Sequence, residues 1–347
     1  MIWVPMIRAM NRCTGQKGMA LLLAILTISF LVALTVRLIA DVDQQLDDAD
    51  AGRNSVEQHS LLLSGLRLAQ ASLYTDRQDN AFDSLFDEWA NLDTRRIKLI
   101  PVGTSLKVKI QDLSGRLQVN SLVNLKREGT RAKEKDKNKQ LEIIHEVWLR
   151  FLLSGDFSIQ DEEQARAVLD SLSDWLDEDN EPREYGAEEE YYATKSPGYA
   201  CANGEIRYIE DLLQVKEITP QLLYGDEEHK GIAEYITTRG YDGKINLNTA
   251  PAKVLLALHS ELTEEMVAAL IAYRSDSGNQ DTLDTPAWYK ALPEIPDDII
   301  LPESILTVTS MYFETEIECE MEKTRGVASG IIYRGEDGRQ AVVRWLH

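Results

Sequence analysis

Cysteine is scarce: Cys13, Cys201 and Cys319 are the only three in 347 residues. That excludes a disulfide-built scaffold. A Cys201–Cys319 bridge in an oxidising compartment and two unpaired thiols both stay open. Histidine is equally thin, with His59, His145, His229, His259 and His347 scattered along the chain. No HExxH, GxSxG or P-loop pattern occurs, which removes the common zinc-protease, serine-hydrolase and nucleotide-hydrolysing sites. Positive charge is short as well: 37 Lys and Arg against 58 Asp and Glu leave a net charge of −21. Such a surface repels nucleic-acid phosphates and anionic lipid headgroups, and suits cations or basic partners. Acidic pairs are too abundant for any one of them, Asp174 and Asp177 included, to mark a hydrolytic dyad. These gaps point away from an enzyme. The chain is long enough for one large domain or two ordinary ones.

Charge is missing altogether from residues 19–36, MALLLAILTISFLVALTV, and with Arg37 tolerated near its end the apolar run reaches Ala40. As a helix this segment covers about 33 Å, enough for a bilayer core. Arg8, Arg12 and Lys17 precede it, no acid occurs among the first 18 residues, and Asp41, Asp43, Asp47, Asp48 and Asp50 follow it. Positive residues stay on the cytoplasmic side, so the rest of the chain is expected outside the cytoplasm. An ordinary cleaved signal peptide fits poorly, because Leu38-Ile39-Ala40 lacks the small residue two places before its last position. Gln16-Lys17-Gly18-Met19 instead resembles the type IV prepilin leader, cut after the glycine. Gly18 and Met19 then flank the cleavage, and loss of three basic residues leaves 34 against 58, a charge of −24. An uncleaved anchor is the alternative reading of the same segment. Prepilins usually carry Glu at the fifth mature position, where this chain has Leu23. Further on, Leu62, Leu66, Ala69 and Leu73 fall on one helical stripe, which predicts a helix that is half membrane-spanning and half amphipathic.

Strand signals stand at both ends of the remaining chain. Val108 and Ile110 alternate with Lys107 and Lys109, and the turn Asp112-Leu113-Ser114-Gly115 predicts a hairpin between 105–110 and 116–119. In 313–322, Phe313, Thr315, Ile317, Cys319 and Met321 alternate with glutamates, the pattern of a half-buried strand. Segments 326–334 and 340–346, joined by Gly335-Glu336-Asp337-Gly338, extend it into an antiparallel meander. Between the two ends, helical windows recur at 141–153, 161–176, 206–215, 252–258 and 264–274. The basic stretch 126–139 (KREGTRAKEKDKNK) has no apolar stripe and reads as a flexible loop. This order predicts a helical domain inserted into a strand domain, with the last strands pairing back onto the first.

Three passages carry a resemblance. They are Asp174-Trp175-Leu176-Asp177-Glu178-Asp179-Asn180-Glu181-Pro182-Arg183 with Gly186-Ala187-Glu188 and Tyr191-Tyr192; Ile206-Arg207-Tyr208-Ile209-Glu210-Asp211-Leu212-Leu213 with Ile218-Thr219-Pro220; and Ile245-Asn246-Leu247-Asn248-Thr249-Ala250. With the leader and residues 112–123 they resemble the K-type minor pseudopilins, general secretion pathway protein K, from Gly18 to His347. K-type members typically lack the glutamate that Leu23 replaces. The resemblance implies an α+β fold: a pilin-like long N-terminal helix and antiparallel sheet with a large inserted α-helical domain. The implied division is 1–18 leader, 19–75 transmembrane and amphipathic helix, 76–125 and 305–347 pilin-like domain, 126–140 flexible basic loop, and 141–304 inserted helical domain. It implies a subunit at the tip of a type II secretion pseudopilus. Such a subunit is anchored in the inner membrane with its C-terminal domain in the periplasm. It joins I-type and J-type minor pseudopilins to initiate or cap assembly for protein export across the outer membrane. No nucleic-acid partner is expected.

Residues 170–190 hold ten acids and a single base, Arg183. Packed carboxylates repel one another, and a hard cation is a natural counter-ion; a solvated acidic loop is the plainer alternative. Counted from Asp177 as position 1, Asp179, Glu181 and Glu188 stand at 3, 5 and 12, as in an EF-hand, but Pro182 occupies the position that requires glycine. The resemblance implies calcium here, with Asp177, Asp179, Glu188 and Glu189 as the leading ligands and Asp174 and Glu181 behind them. A rival function lies in 245–274, which resembles a helix-hairpin-helix DNA-binding module on a membrane anchor. Its hairpin His259-Ser260-Glu261-Leu262 has no glycine, and Glu261, Glu264 and Glu265 would face the phosphates.

Overall fold

One helix, α1 (Gln16–Asp79), leads the chain. The computed structural model describes residues 16–94, 97–99, 104–123, 134–321 and 324–347. Cys13, Arg8, Arg12 and residues 126–133 of the basic stretch lie outside the described residues. The chain divides into two compact units, Met1–Ser60 and Leu61–His347. In the first, the apolar side chains from Met19 to Ile39 are exposed. Among the described residues, α1 is the one helix long and apolar enough to cross a membrane. Gly18 and Met19 lie on it, both exposed.

The second unit is built on two hydrophobic cores. The smaller lies under a five-stranded antiparallel sheet. Its strands are β1 (Ile97–Leu99), β2 (Thr104–Asp112), β7 (Tyr312–Glu320), β8 (Arg325–Arg334) and β9 (Gln340–Leu346), in that spatial order. The period-2 alternation of β2 and β7 puts Leu106, Val108, Ile110, Phe313, Ile317 and Cys319 on one face. The stripe Leu62, Leu66, Ala69 and Leu73 of α1 covers that face. Gly65 permits the close approach: a Cβ there would fall 2.5 Å from Ile317 Cγ2. The pilin-like α+β expectation and the return of the last strands onto β2 are borne out.

The larger core is helical. α2 (Glu134–Leu152), α3 (Glu162–Leu176), α6 (Ala252–Ala257) and α7 (Glu264–Ser275) enclose Trp148, Phe151, Leu172, Leu176, Leu255 and Leu270, with short α4 (Glu189–Ala193) and α5 (Pro220–Tyr224) at its edge. Asp161 and Thr263 cap α3 and α7 by accepting from Gln164 N and Met266 N. The window at 206–215 closes as a 3-10 turn, Ile209–Gln214, instead of an α-helix.

Two local expectations are corrected. The hairpin across 112–115 does not form. Leu117–Gln118 (β3) pairs in parallel with Ile236–Thr237 (β4). The turn presses Gly115 against Ala250 N, where a Cβ would come within 2.8 Å, and so steers the chain out of the sheet. Leu117, Val119, Leu122 and Val123 then bury in the helical core, so the sheet layer's first part ends at β2, short of residue 125. The basic stretch is also not all loop: α2 begins at Glu134. Glu, Lys and Gln are good helix formers, and a helix nucleated by the apolar face downstream extends through them.

A buried polar seam joins the two cores. Arg334 of β8 donates to Asp76 Oδ2 (2.9 Å), Leu73 O (3.1 Å) and Asp83 Oδ1. Asp83 Oδ2 accepts from Ser310 N at 2.7 Å. From the helical side, Asn246 Nδ2 donates to Ser310 Oγ (2.7 Å), and Asn248 Nδ2 to Asp83 O (3.1 Å). Ser310 Oγ and Thr249 Oγ1 both donate to Asp112 Oδ2, at 2.6 and 2.5 Å. Asn246 is the last residue of β5 (Ile245–Asn246), which pairs in parallel with β6 (Leu306–Thr307).

Candidate metal centre

The acidic passage folds because α3 ends inside it. Asp174 lies on the last turn, and Asp177 is the extended residue after Leu176, its N–H bonded to Ser173 O at 3.0 Å. Asp174 is wholly buried, and the following loop wraps around it. Arg183 donates its backbone N–H to Asp174 Oδ2 (3.1 Å) and Nη1 to Asp174 Oδ1 (2.5 Å). The same Nη1 reaches Asp177 Oδ2 at 2.7 Å. Gly186 has to be glycine here, since a Cβ would collide with the Asp174 carboxylate. Lys216 Nζ ties down the far side by donating to Tyr185 O (2.9 Å) and Gly186 O (3.1 Å). Trp175 and Tyr192 stack edge to face with centroids 4.9 Å apart, which is what the Trp and the second Tyr of the passage do.

This wrapping brings one oxygen each of Asp177, Asp179 and Glu188 within 4.8 Å of one another. Glu188 is 4% exposed. Among the described residues, neither of its carboxylate oxygens has a hydrogen-bond partner, and buried Asp177 Oδ1 has none either. Burial, then the charges of Asp174 and Asp177, push the Glu188 carboxyl up to about 7. Burial also raises Asp174, against the opposing pull of Arg183. Buried carboxylate oxygens without partners are rare and costly. A divalent cation with affinity for hard oxygens would satisfy all three and neutralise their repulsion, so the donor set fits calcium.

The other expected ligands stand apart from that triad. Asp174 is held by Arg183. Glu189 Oε2 accepts from Cys201 N at 2.9 Å. Glu181 is exposed, its backbone N–H donating to Asp179 Oδ1 (2.9 Å). Pro182 fixes the chain where an EF-hand needs a flexible glycine, and Glu181 turns outward. Cys201 and Cys319 do not form a disulfide with each other, and each is buried in a different core. Burial pushes the Cys201 thiol up to about 12.

Two models of one family, described as Type II secretion system (T2SS), protein K, match residues 115–224 and 245–297. The chain belongs to the type II secretion system protein K family. It is a minor pseudopilin of that system. The protein K of Pseudomonas aeruginosa is 27% identical over 342 residues, covering 95% of this chain and 92% of the relative. That of Aeromonas hydrophila is 24% identical, covering 97% and 99%. One solved chain, in the crystal structure of the GspK-GspI-GspJ complex from the enterotoxigenic Escherichia coli Type 2 Secretion System, shares the fold. It aligns with a TM-score of 0.57 at 16% identity over 85% of this chain and 98% of that one.

The first protein K match spans the acidic loop, and the second opens on Ile245 and includes Asn246 and Asn248. Sequence reading gave those asparagines no physical role. Their signal was two amides two residues apart beside an apolar strand, placing both side chains on one face. The helix-hairpin-helix alternative has no support. Arg274 is buried and donates to Leu247 O and Ala250 O, both at 2.7 Å, while Lys253 is paired with Asp156 and Glu264. Neither base is left to meet a phosphate.

Proposed function

We propose that this minor pseudopilin is a non-catalytic tip subunit that assembles with I-type and J-type minor pseudopilins and carries a structural calcium ion. The observation that carries the calcium reading is the convergence of Asp177, Asp179 and Glu188, with buried oxygens of Asp177 and Glu188 left without a partner among the described residues. The assembly reading is supported by the neighbour of like fold, which forms a complex with GspI and GspJ. The span in α1 anchors the chain once in the inner membrane, with the acidic residues after it on the periplasmic side. The leader is cut between Gly18 and Met19. The bulky helical region between β2 and β7 blocks addition of a further subunit, so the chain starts and caps the fibre. Bound calcium would neutralise the loop and cross-link the end of α3 to the start of α4.

Both halves are tested with the full-length chain in detergent. Co-expression with tagged I-type and J-type partners should yield a stable ternary complex; elution of the chain alone would refute the assembly. The melting temperature should be higher in millimolar calcium than in chelator. Binding contributes about 2.7 kcal/mol at a hundredfold excess over Kd. Asp179→Ala should abolish most of that difference and change the chelated value little. Equal melting points with calcium and chelator would overturn the metal site.

A further inference from the structure

We propose that Arg183 is a built-in counter-cation of the acidic loop, competing electrostatically with the bound metal and holding its affinity in a weak range. The inference rests on the calcium reading above. Arg183 is the one base among residues 170–190. Its Nη1 lies between Asp174 Oδ1 and Asp177 Oδ2, 2.5 and 2.7 Å away. Asp177 is therefore shared: its Oδ2 accepts from the guanidinium, its Oδ1 is buried and has no partner among the described residues, and one of the two lies within 4.8 Å of oxygens of Asp179 and Glu188. A divalent ion held by this carboxylate shares it with a fixed positive charge.

Two consequences follow from that placement. Without metal, Arg183 neutralises part of a loop that would otherwise repel itself, and the loop keeps its fold around Asp174. With metal, the guanidinium cannot leave, because Asp174 is wholly buried and has no other cation among the described residues. An unpaired charge there would be strongly destabilising. Metal and guanidinium then coexist, and their repulsion lowers the affinity. The site is set for a compartment where calcium is plentiful, like the weak sites of extracellular modules.

Calcium titration calorimetry on the full-length chain in detergent, paired with melting in chelator, tests this. Arg183→Gln should bind calcium about tenfold more tightly than wild type and melt lower in chelator. Arg183→Lys should keep an affinity near wild type. A variant folded only in the presence of calcium also supports the proposal, as does binding by Arg183→Gln when wild type binds too weakly to detect. If Arg183→Gln folds in neither condition, the double variant Asp174→Asn/Arg183→Gln leaves no buried charge unpaired. It should bind no more weakly than wild type despite having one acid fewer, and weaker binding overturns the proposal. Wild-type binding with equal or weaker affinity in Arg183→Gln overturns the competition and leaves the calcium site standing. No binding by either protein at millimolar calcium overturns both.

Discussion

Single carboxylates behave differently here according to what burial leaves them. Asp87 accepts from Ser84 N at 2.7 Å and Trp89 Nε1 at 3.1 Å. Even so, burial, aided by the charge of Asp76, pushes it up to about 6, and burial pushes Asp83 up to about 7 despite Arg334. An unfolded aspartate titrates near 3.9. The folded state therefore binds more protons between about pH 4 and 7. Stability from these groups is complete below that window and is lost as pH rises through it. Asp87→Asn keeps an oxygen for the two N–H donors and removes the titration. It should raise the melting temperature at pH 8 by the equivalent of about 2–3 kcal/mol and leave pH 3 nearly unchanged. A parallel offset at both values would refute the assignment. At the candidate metal centre, spacing pointed to Asp177, Asp179, Glu181 and Glu188, and the family resemblance to Asp177, Asp179, Glu188 and Glu189 ahead of Asp174 and Glu181. Nothing in a one-dimensional pattern showed which of these would converge. That distinction depends on where Arg183 and Cys201 N reach, and both follow from the fold of the loop.

Among the elements, periodicity was informative wherever one face is buried. The alternation in β7 and the stripe Leu62, Leu66, Ala69 and Leu73 each reported a surface that meets the other. The expected hairpin failed for a reason outside that pattern. A turn sequence specifies a bend, not the strand that receives the chain afterwards, and β3 found β4 more than a hundred residues away. The start of α2 failed differently. A charged run lacks a core-facing stripe, yet it lengthens a helix at little cost once the next turns are packed. Short elements such as Ile209–Gln214 were the least legible, because a single 3-10 turn is too brief to show a period.

For the molecule as a whole, the order strand, helices, strand was legible, but what unites the two cores was not. The junction is polar: acids on α1 and the loop after it, Asp112 at the end of β2, Ser310 before β7 and Arg334 on β8, bridged to the helical side by Asn246 and Asn248. Each buried group there has a partner supplied by another segment, so the network is satisfied only when both cores are formed. Unfolding of Leu61–His347 should therefore be one cooperative transition in calorimetry. Asn246→Ala removes the amide that donates to Ser310 Oγ and, at 3.3 Å, to Asp83 O. It leaves buried acceptors short of a donor, a loss of about 1–3 kcal/mol. Because the loss falls on the junction and spares both apolar cores, the sheet and helical layers should separate into two endotherms. If the proposed calcium ion binds, the helical layer should keep its calcium-dependent shift, since Asp177, Asp179 and Glu188 take no part in the polar seam. One endotherm displaced to lower temperature, with no splitting, would mean that apolar contact alone couples the layers.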